Sequence, residues 1–263
     1  MKKRKVLSVL SASLLLLLIG CSQEPKEDIA WHTKEQVRTF FGTQTTRNVY
    51  EYNDDWSTAS ITTYVDDRLE STVTYEHTET GYITRGIQDG VEDVMEVIIT
   101  RDEAGNAIHT EQYLNGQLSS SADSTFDEKG NMLTYYTHVV EPDLYLKQET
   151  EYDSNGNKIK VTADNGYMIT VTEYSYDSQG RLVKESSPNS NSRTEYTYSD
   201  GGKLETAVIY GENGELTNKR ISTYDDYGNL LLQETYDAAG NVMLTTALSY
   251  ISTDGRTSSG IAG

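Results

Sequence analysis

From about Val49 to the C-terminus, apolar and polar residues alternate in short runs, each closed by a cluster of Asp, Asn, Gly or Pro. Such turn signals fall at Asn53-Asp54, Asp66-Asp67, Asp89-Gly90, Asn115-Gly116, Pro142-Asp143, Asn165-Gly166 and Pro188-Asn189, among others. A period of two between regularly spaced breakers is the mark of half-buried antiparallel strands. The pattern predicts an all-β chain, a long hairpin meander of on the order of sixteen strands. Upstream, Trp31, Val37, Phe40 and Phe41 satisfy neither a helical nor a strand period, so residues 31–48 stay ambiguous between helix and first strand.

Many of the breakers share one seven-residue unit. In Tyr176-Asp177-Ser178-Gln179-Gly180-Arg181-Leu182, Asp opens a type I turn, and its carboxylate accepts nearby backbone N–H groups. Gly180 then takes the left-handed position of a bulge, which places Tyr176 opposite Leu182. Residues 126–132, 152–158, 224–230 and 236–242 repeat the pattern, with Asp second and Gly fifth.

Followed by parity alone, the even positions from Leu204 to Tyr250 form one strongly apolar face, including Val208, Leu232, Leu244 and Leu248. That asymmetry asks for cover by a second layer, by curling of the sheet or by a partner. Twist makes open sheets of more than about ten strands curl or split, which favours a curled or barrel-like sheet.

These Tyr-Asp-x-x-Gly units resemble the YD or RHS repeats of bacterial surface proteins over roughly residues 100–255. The resemblance implies a winding β-sheet and leaves function open. Large members carry a Pro-x-x-x-x-Asp-Pro-x-Gly motif before a toxin, whereas no proline follows Pro188 here.

The N-terminus changes the picture of location. Lys2, Lys3, Arg4 and Lys5 precede an apolar stretch that reaches Ile19, which reads as a secretory signal over residues 1–20. Leu18-Ile19-Gly20-Cys21 resembles the lipobox of bacterial lipoprotein signals, which implies lipid attachment at Cys21, the single cysteine. Residues 21–30 then form a flexible polar tether, followed by the lead-in of 31–48 and one YD-like domain over 49–263. The expected location is extracytoplasmic, held by lipid at a cell membrane or outer membrane. An uncleaved span fits less well, because Ser8, Ser11 and Ser13 interrupt a stretch already short for a ~20-residue crossing.

Net charge is −19, and loss of the four basic N-terminal residues makes it more negative still. Such a surface repels nucleic acid and anionic headgroups. The 20 tyrosines, set among Thr, Val and Ile, argue for packed strands rather than the disorder that acidic composition alone suggests.

Chemistry is sparse. His32, His77, His109 and His138 lack metal-ligand spacing, and there is no nucleophile elbow, P-loop or dinucleotide fingerprint, so neither metal nor cofactor is expected. Asp153, Asn155 and Asn157 alternate as calcium ligands do, but Gly156 and Lys158 stand where an EF-hand loop needs other residues. The densest aromatic group is Tyr174, Tyr176, Tyr196 and Tyr198, which either pairs across strands to stabilise the sheet or offers ring faces to a ligand.

The expected function is a surface-displayed, non-enzymatic binding module for a protein or glycan partner, with those tyrosines as candidate contacts. A structural envelope spacer is the alternative, and a polysaccharide hydrolase without a motif a third reading. If Cys21 carries the anchor, Cys21→Ser abolishes incorporation of a fatty-acid analogue and leaves the precursor uncleaved. A labelled mutant would place attachment elsewhere.

Overall fold

The computed structural model describes residues 30–88 and 91–261, so the signal segment, Cys21, tether residues 22–29 and the Asp89-Gly90 turn lie outside the described residues. The first strands are β1 (Trp31–Phe40), β2 (Gln44–Tyr52), β3 (Thr58–Val65), β4 (Arg68–Thr78), β5 (Gly81–Gln88) and β6 (Val91–Arg101). Next come β7 (Ala107–Leu114), β8 (Gln117–Phe126), β9 (Met132–Val139), β10 (Leu144–Tyr152), β11 (Lys158–Asp164) and β12 (Ile169–Tyr176). The last are β13 (Leu182–Ser186), β14 (Arg193–Ser199), β15 (Leu204–Tyr210), β16 (Leu216–Tyr224), β17 (Leu230–Asp237), β18 (Val242–Ser252) and β19 (Thr257–Ser259).

Each strand pairs antiparallel with its successor, and β1 pairs with β18, from Trp31↔Ser252 to Phe40↔Leu244. The meander therefore closes into an 18-strand barrel. The segment left ambiguous in the sequence, 31–48, belongs to β1 and β2, so the domain begins at 31 rather than 49. Neither period is clean there because a register shift between Thr33 and Glu35 interrupts the alternation of β1. The short β19 folds back on the end of β18 and lies against β17. A Cβ on Gly260 would sit 2.1 Å from the Leu231 carbonyl oxygen, so only glycine permits this approach.

The turns follow the chemistry of the repeat. Asp153 Oδ1 accepts N–H bonds from Asn155 and Asn157, while Oδ2 accepts from the Asn157 carboxamide at 2.9 Å. Asp102, Asp127 and Asp225 repeat the arrangement, and Asp177 makes it with Arg181. Both oxygens of Asp153 are thus occupied by the turn, which accounts for the alternating Asp and Asn residues without calcium. At residues 52–58 the glycine position is held by Trp56 at φ 64°, a left-handed conformation costly for a bulky residue. Stacking on His32, with centroids 4.8 Å apart and an interplanar angle of 14°, holds the ring there.

Beyond each turn a bulge inserts one residue. Ser175↔Lys184 and Tyr176↔Leu182 leave Val183 as the extra residue. The expected pairing of Tyr176 with Leu182 is present, but the bulge switches which parity faces the axis. The even positions therefore do not form one face. Leu232 stands beside Thr223 and Ala247, while Leu244 stands beside Thr235, on the other side of the sheet.

The bulge also leaves the carbonyl of the unit's last residue outside the ladder to the next strand. There the tyrosine of the following unit supplies the donor. Tyr152 Oη donates to Met132 O at 2.9 Å, Tyr176 to Lys158 O at 2.8 Å, Tyr198 to Leu182 O at 2.7 Å and Tyr250 to Leu230 O at 2.9 Å. Tyr52 does the same for Thr33 O, and His77 Nε2 lies 2.8 Å from Thr58 O in the equivalent place.

Eighteen strands at about 4.8 Å spacing and roughly 40° tilt give a perimeter of about 110 Å, more than side chains alone fill. Accordingly, among the described residues only Val97, Ala207 and Leu248 are buried and apolar. With Thr84, Thr150, Ser222 and Thr246 they share one face, together with most of the tyrosines. Curvature crowds side chains on the inner wall and spreads them on the outer, so this crowded face is the inner wall. The outer wall carries the ion pairs Arg47–Glu35, Lys147–Glu149, Lys160–Glu151 and Arg193–Glu195.

Acid should unfasten the turns. Hydrogen bonds from Asn106, Asn131, Asn157 and Asn241 hold Asp102, Asp127, Asp153 and Asp237 below the usual carboxylate range, as the Arg181 backbone N–H does for Asp177. A depressed folded pKa contributes stability that is complete above the unfolded value, about 4, and is lost as pH falls through the folded values. The melting temperature is expected to drop steeply below about pH 4. Asp153→Ala should be less stable than wild type at neutral pH, with the gap closing in acid; a gap independent of pH would refute the carboxylate's role.

Candidate functional site

The inner wall of β12 to β16 gathers the sequence-predicted tyrosines with charged partners that no linear motif announces. Register places Tyr174 beside Glu185, Tyr196 beside Ala207, Ala207 beside Arg220, and Tyr198 beside Glu205. All four candidate tyrosines share this wall. They do not share a role.

Tyr176 and Tyr198 spend their hydroxyls on backbone carbonyls, as described above, and the Arg181 guanidinium lies 4.7 Å from the Tyr198 ring centroid. These two rings hold neighbouring units together. Tyr196 instead donates to Glu185 Oε1 at 2.9 Å, and Tyr174 has the Lys158 ammonium 5.9 Å from its ring centroid.

Around Tyr196 lie Glu185, Glu205 and Arg220. Burial pushes the Glu205 carboxyl up, and the Arg220 guanidinium, 3.7 Å away, works against that shift. Burial and then the Glu185 and Glu205 charges raise Tyr196, while burial chiefly pushes Tyr198 up to about 12. Both phenols are therefore neutral hydrogen-bonding groups at ordinary pH. Arg220 Nε is buried and makes no hydrogen bond. A buried guanidinium N–H without an acceptor is costly, while the rest of the Arg220 side chain, a third exposed, is the part open to a partner.

Chemically, the patch combines half-buried aromatic rings, two carboxylates and a guanidinium donor on a concave wall. That set suits hydroxyl-rich or extended polar ligands, whose apolar faces stack while their polar edges bond. Among the described residues, no group of three His, Cys, Asp or Glu side chains is placed to hold a metal. Of the histidines, His109 and His138 pair with Asp123 and Asp143 at 2.6 Å each, and His32 and His77 serve the packing and carbonyl capture already described.

Sequence reasoning missed Glu185, Glu205 and Arg220 because they lie in three different strands and meet only through register. Ala207 is the one local trace, a small residue that makes room between Tyr196 and Arg220.

Comparison with known proteins agrees on the repeat. The RHS Repeat family model matches residues 152–192 and 176–216, so the chain carries RHS-type repeats there. A search of curated proteins finds no match. Among solved structures, the barrel is similar to a porin-like protein from Bacteroides uniformis, at 10% identity and a TM-score of 0.46, over 83% of this chain and 97% of that one.

Proposed function

We propose that the barrel is a lipid-anchored, extracytoplasmic binding module whose inner wall takes a glycan or extended polymer along β12 to β16. The observation that carries this reading is the Tyr196–Glu185–Glu205–Arg220 group, which sets a half-buried phenol, two carboxylates and a partly exposed guanidinium side by side on one wall.

Anchorage from outside the bilayer, rather than immersion of the barrel, is supported by the outer wall. Lipid-facing walls are apolar bands, and each midplane lysine or arginine costs about 2–4 kcal/mol. The charged pairs on this wall suit water instead. No helix among the described residues is long and apolar enough to cross a membrane.

The spacer reading draws support from Tyr176 and Tyr198, whose hydroxyls are committed to the backbone. Binding therefore rests on Tyr174, Tyr196 and Arg220. The test is to screen the purified protein against soluble peptidoglycan fragments and a glycan array, then repeat with Tyr196→Phe and Arg220→Gln. Loss of such a contact is expected to cost about 1 kcal/mol, a several-fold weaker affinity, at an unchanged melting temperature. Ligands bound equally by the wild type and both variants would assign recognition to another surface.

A further inference from the structure

The two rims of the barrel differ. One is built from turns 53–57, 102–106, 127–131, 153–157, 177–181 and 225–229, and the chain enters beside it at Ala30. The other carries most of the large apolar side chains that stand in water, among them Phe41, Leu69 and Ile87. Their densest group occupies two adjacent hairpin tips, residues 140–143 and 165–168.

These tips are built to present side chains outward. Asn165 Oδ1 accepts the N–H groups of Tyr167 and Met168, and Asp164 Oδ1 accepts that of Gly166. The Tyr145 ring from β10 packs over Gly166, where a Cβ would meet its hydroxyl at 2.7 Å, and lies 6.2 Å from the Tyr136 ring. On this fixed base Tyr167 is 87%, Met168 60% and Ile169 62% exposed, and Val140 extends the apolar surface. A contiguous apolar patch held in water by an ordered loop marks an interaction site more often than packing. Glu141, Asp143 and Asp164 fringe it, His138 lying on Asp143 at 2.6 Å and Lys147 opposite Asp164, within a chain of net charge −19.

We infer that this double tip docks a protein segment that presents apolar side chains among lysines or arginines. Apolar side chains cover Tyr167, Met168 and Ile169, and the basic ones meet the acidic fringe. Charge complementarity selects this occupant, because a second copy would bring together two chains of net charge −19, and anionic headgroups are repelled in the same way. The surface is separate from the inner-wall site, on the outside of the far rim.

The test uses the purified full chain and a fluorescent peptide of alternating leucine and lysine, with a serine–lysine peptide of equal charge as reference. Tyr167→Ser/Met168→Ser is expected to weaken the leucine–lysine peptide at least tenfold, whereas Ile159→Ser near the opposite rim leaves it unchanged. The melting temperature should not move, since both side chains lie outside the packed sheet; Met168→Gln alone gives a milder loss in the same direction. Equal binding of both peptides, or of wild type and the double variant, would overturn the proposal. So would a concentration-dependent dimer, or flotation with phosphatidylcholine vesicles, that the double variant abolishes, since either assigns the tips to a different occupant.

Discussion

At the bulged turns that end on Met132, Lys158, Leu182 and Leu230 one backbone carbonyl is left outside the hydrogen-bond ladder, and a buried carbonyl without a donor costs about 1–3 kcal/mol. At these four the donor is the phenol of the next repeat, and at Thr58 His77 takes its place. Tyr152, Tyr176, Tyr198 and Tyr250 reach back to Met132, Lys158, Leu182 and Leu230, so each unit completes the one before it. The Asp carboxylate fixes the turn internally, while the tyrosine fixes its relation to its neighbour. Stability is distributed around the wall in this way, and the barrel can be wide without a packed centre.

Closure depends on the same economy of local contacts. With only Val97, Ala207 and Leu248 buried among the apolar side chains described, stacked layers do not hold the ends together. The β1–β18 ladder does, aided by Trp31 against Tyr227 with ring centroids 4.9 Å apart. The left-handed Trp56 belongs to this region too, stacked on His32 of the first strand. An open inner wall follows, and on it the partly exposed Arg220 and Glu205 face a lumen rather than a core.

Much of this was legible in the sequence, for a physical reason. A turn that demands Asp, a left-handed residue and a bulge constrains a few adjacent positions, so Asp177, Gly180 and the pairing of Tyr176 with Leu182 could be assigned before any fold was known. What the bulge does to the following strand could not be read from parity, and the supposed even face that joined Leu232 to Leu244 failed on that account. The Tyr196–Glu185–Glu205–Arg220 group was hidden more deeply. It is fixed by the accumulated register of four strands, which no local pattern encodes. The tyrosine cluster itself was found, but its division into carbonyl donors and wall residues depends on where each hydroxyl points.

The central claim is that the repeat tyrosine acts through its hydroxyl on a neighbour's bulge. It is tested most directly by comparing the unfolding free energy of Tyr176→Phe with that of Tyr136→Phe, an exposed tyrosine on the outer wall. Removing the Tyr176 hydroxyl keeps the ring and strands the Lys158 carbonyl, so the account predicts a loss of about 1–2 kcal/mol there and essentially none at Tyr136. Equal stability of the two variants would contradict it.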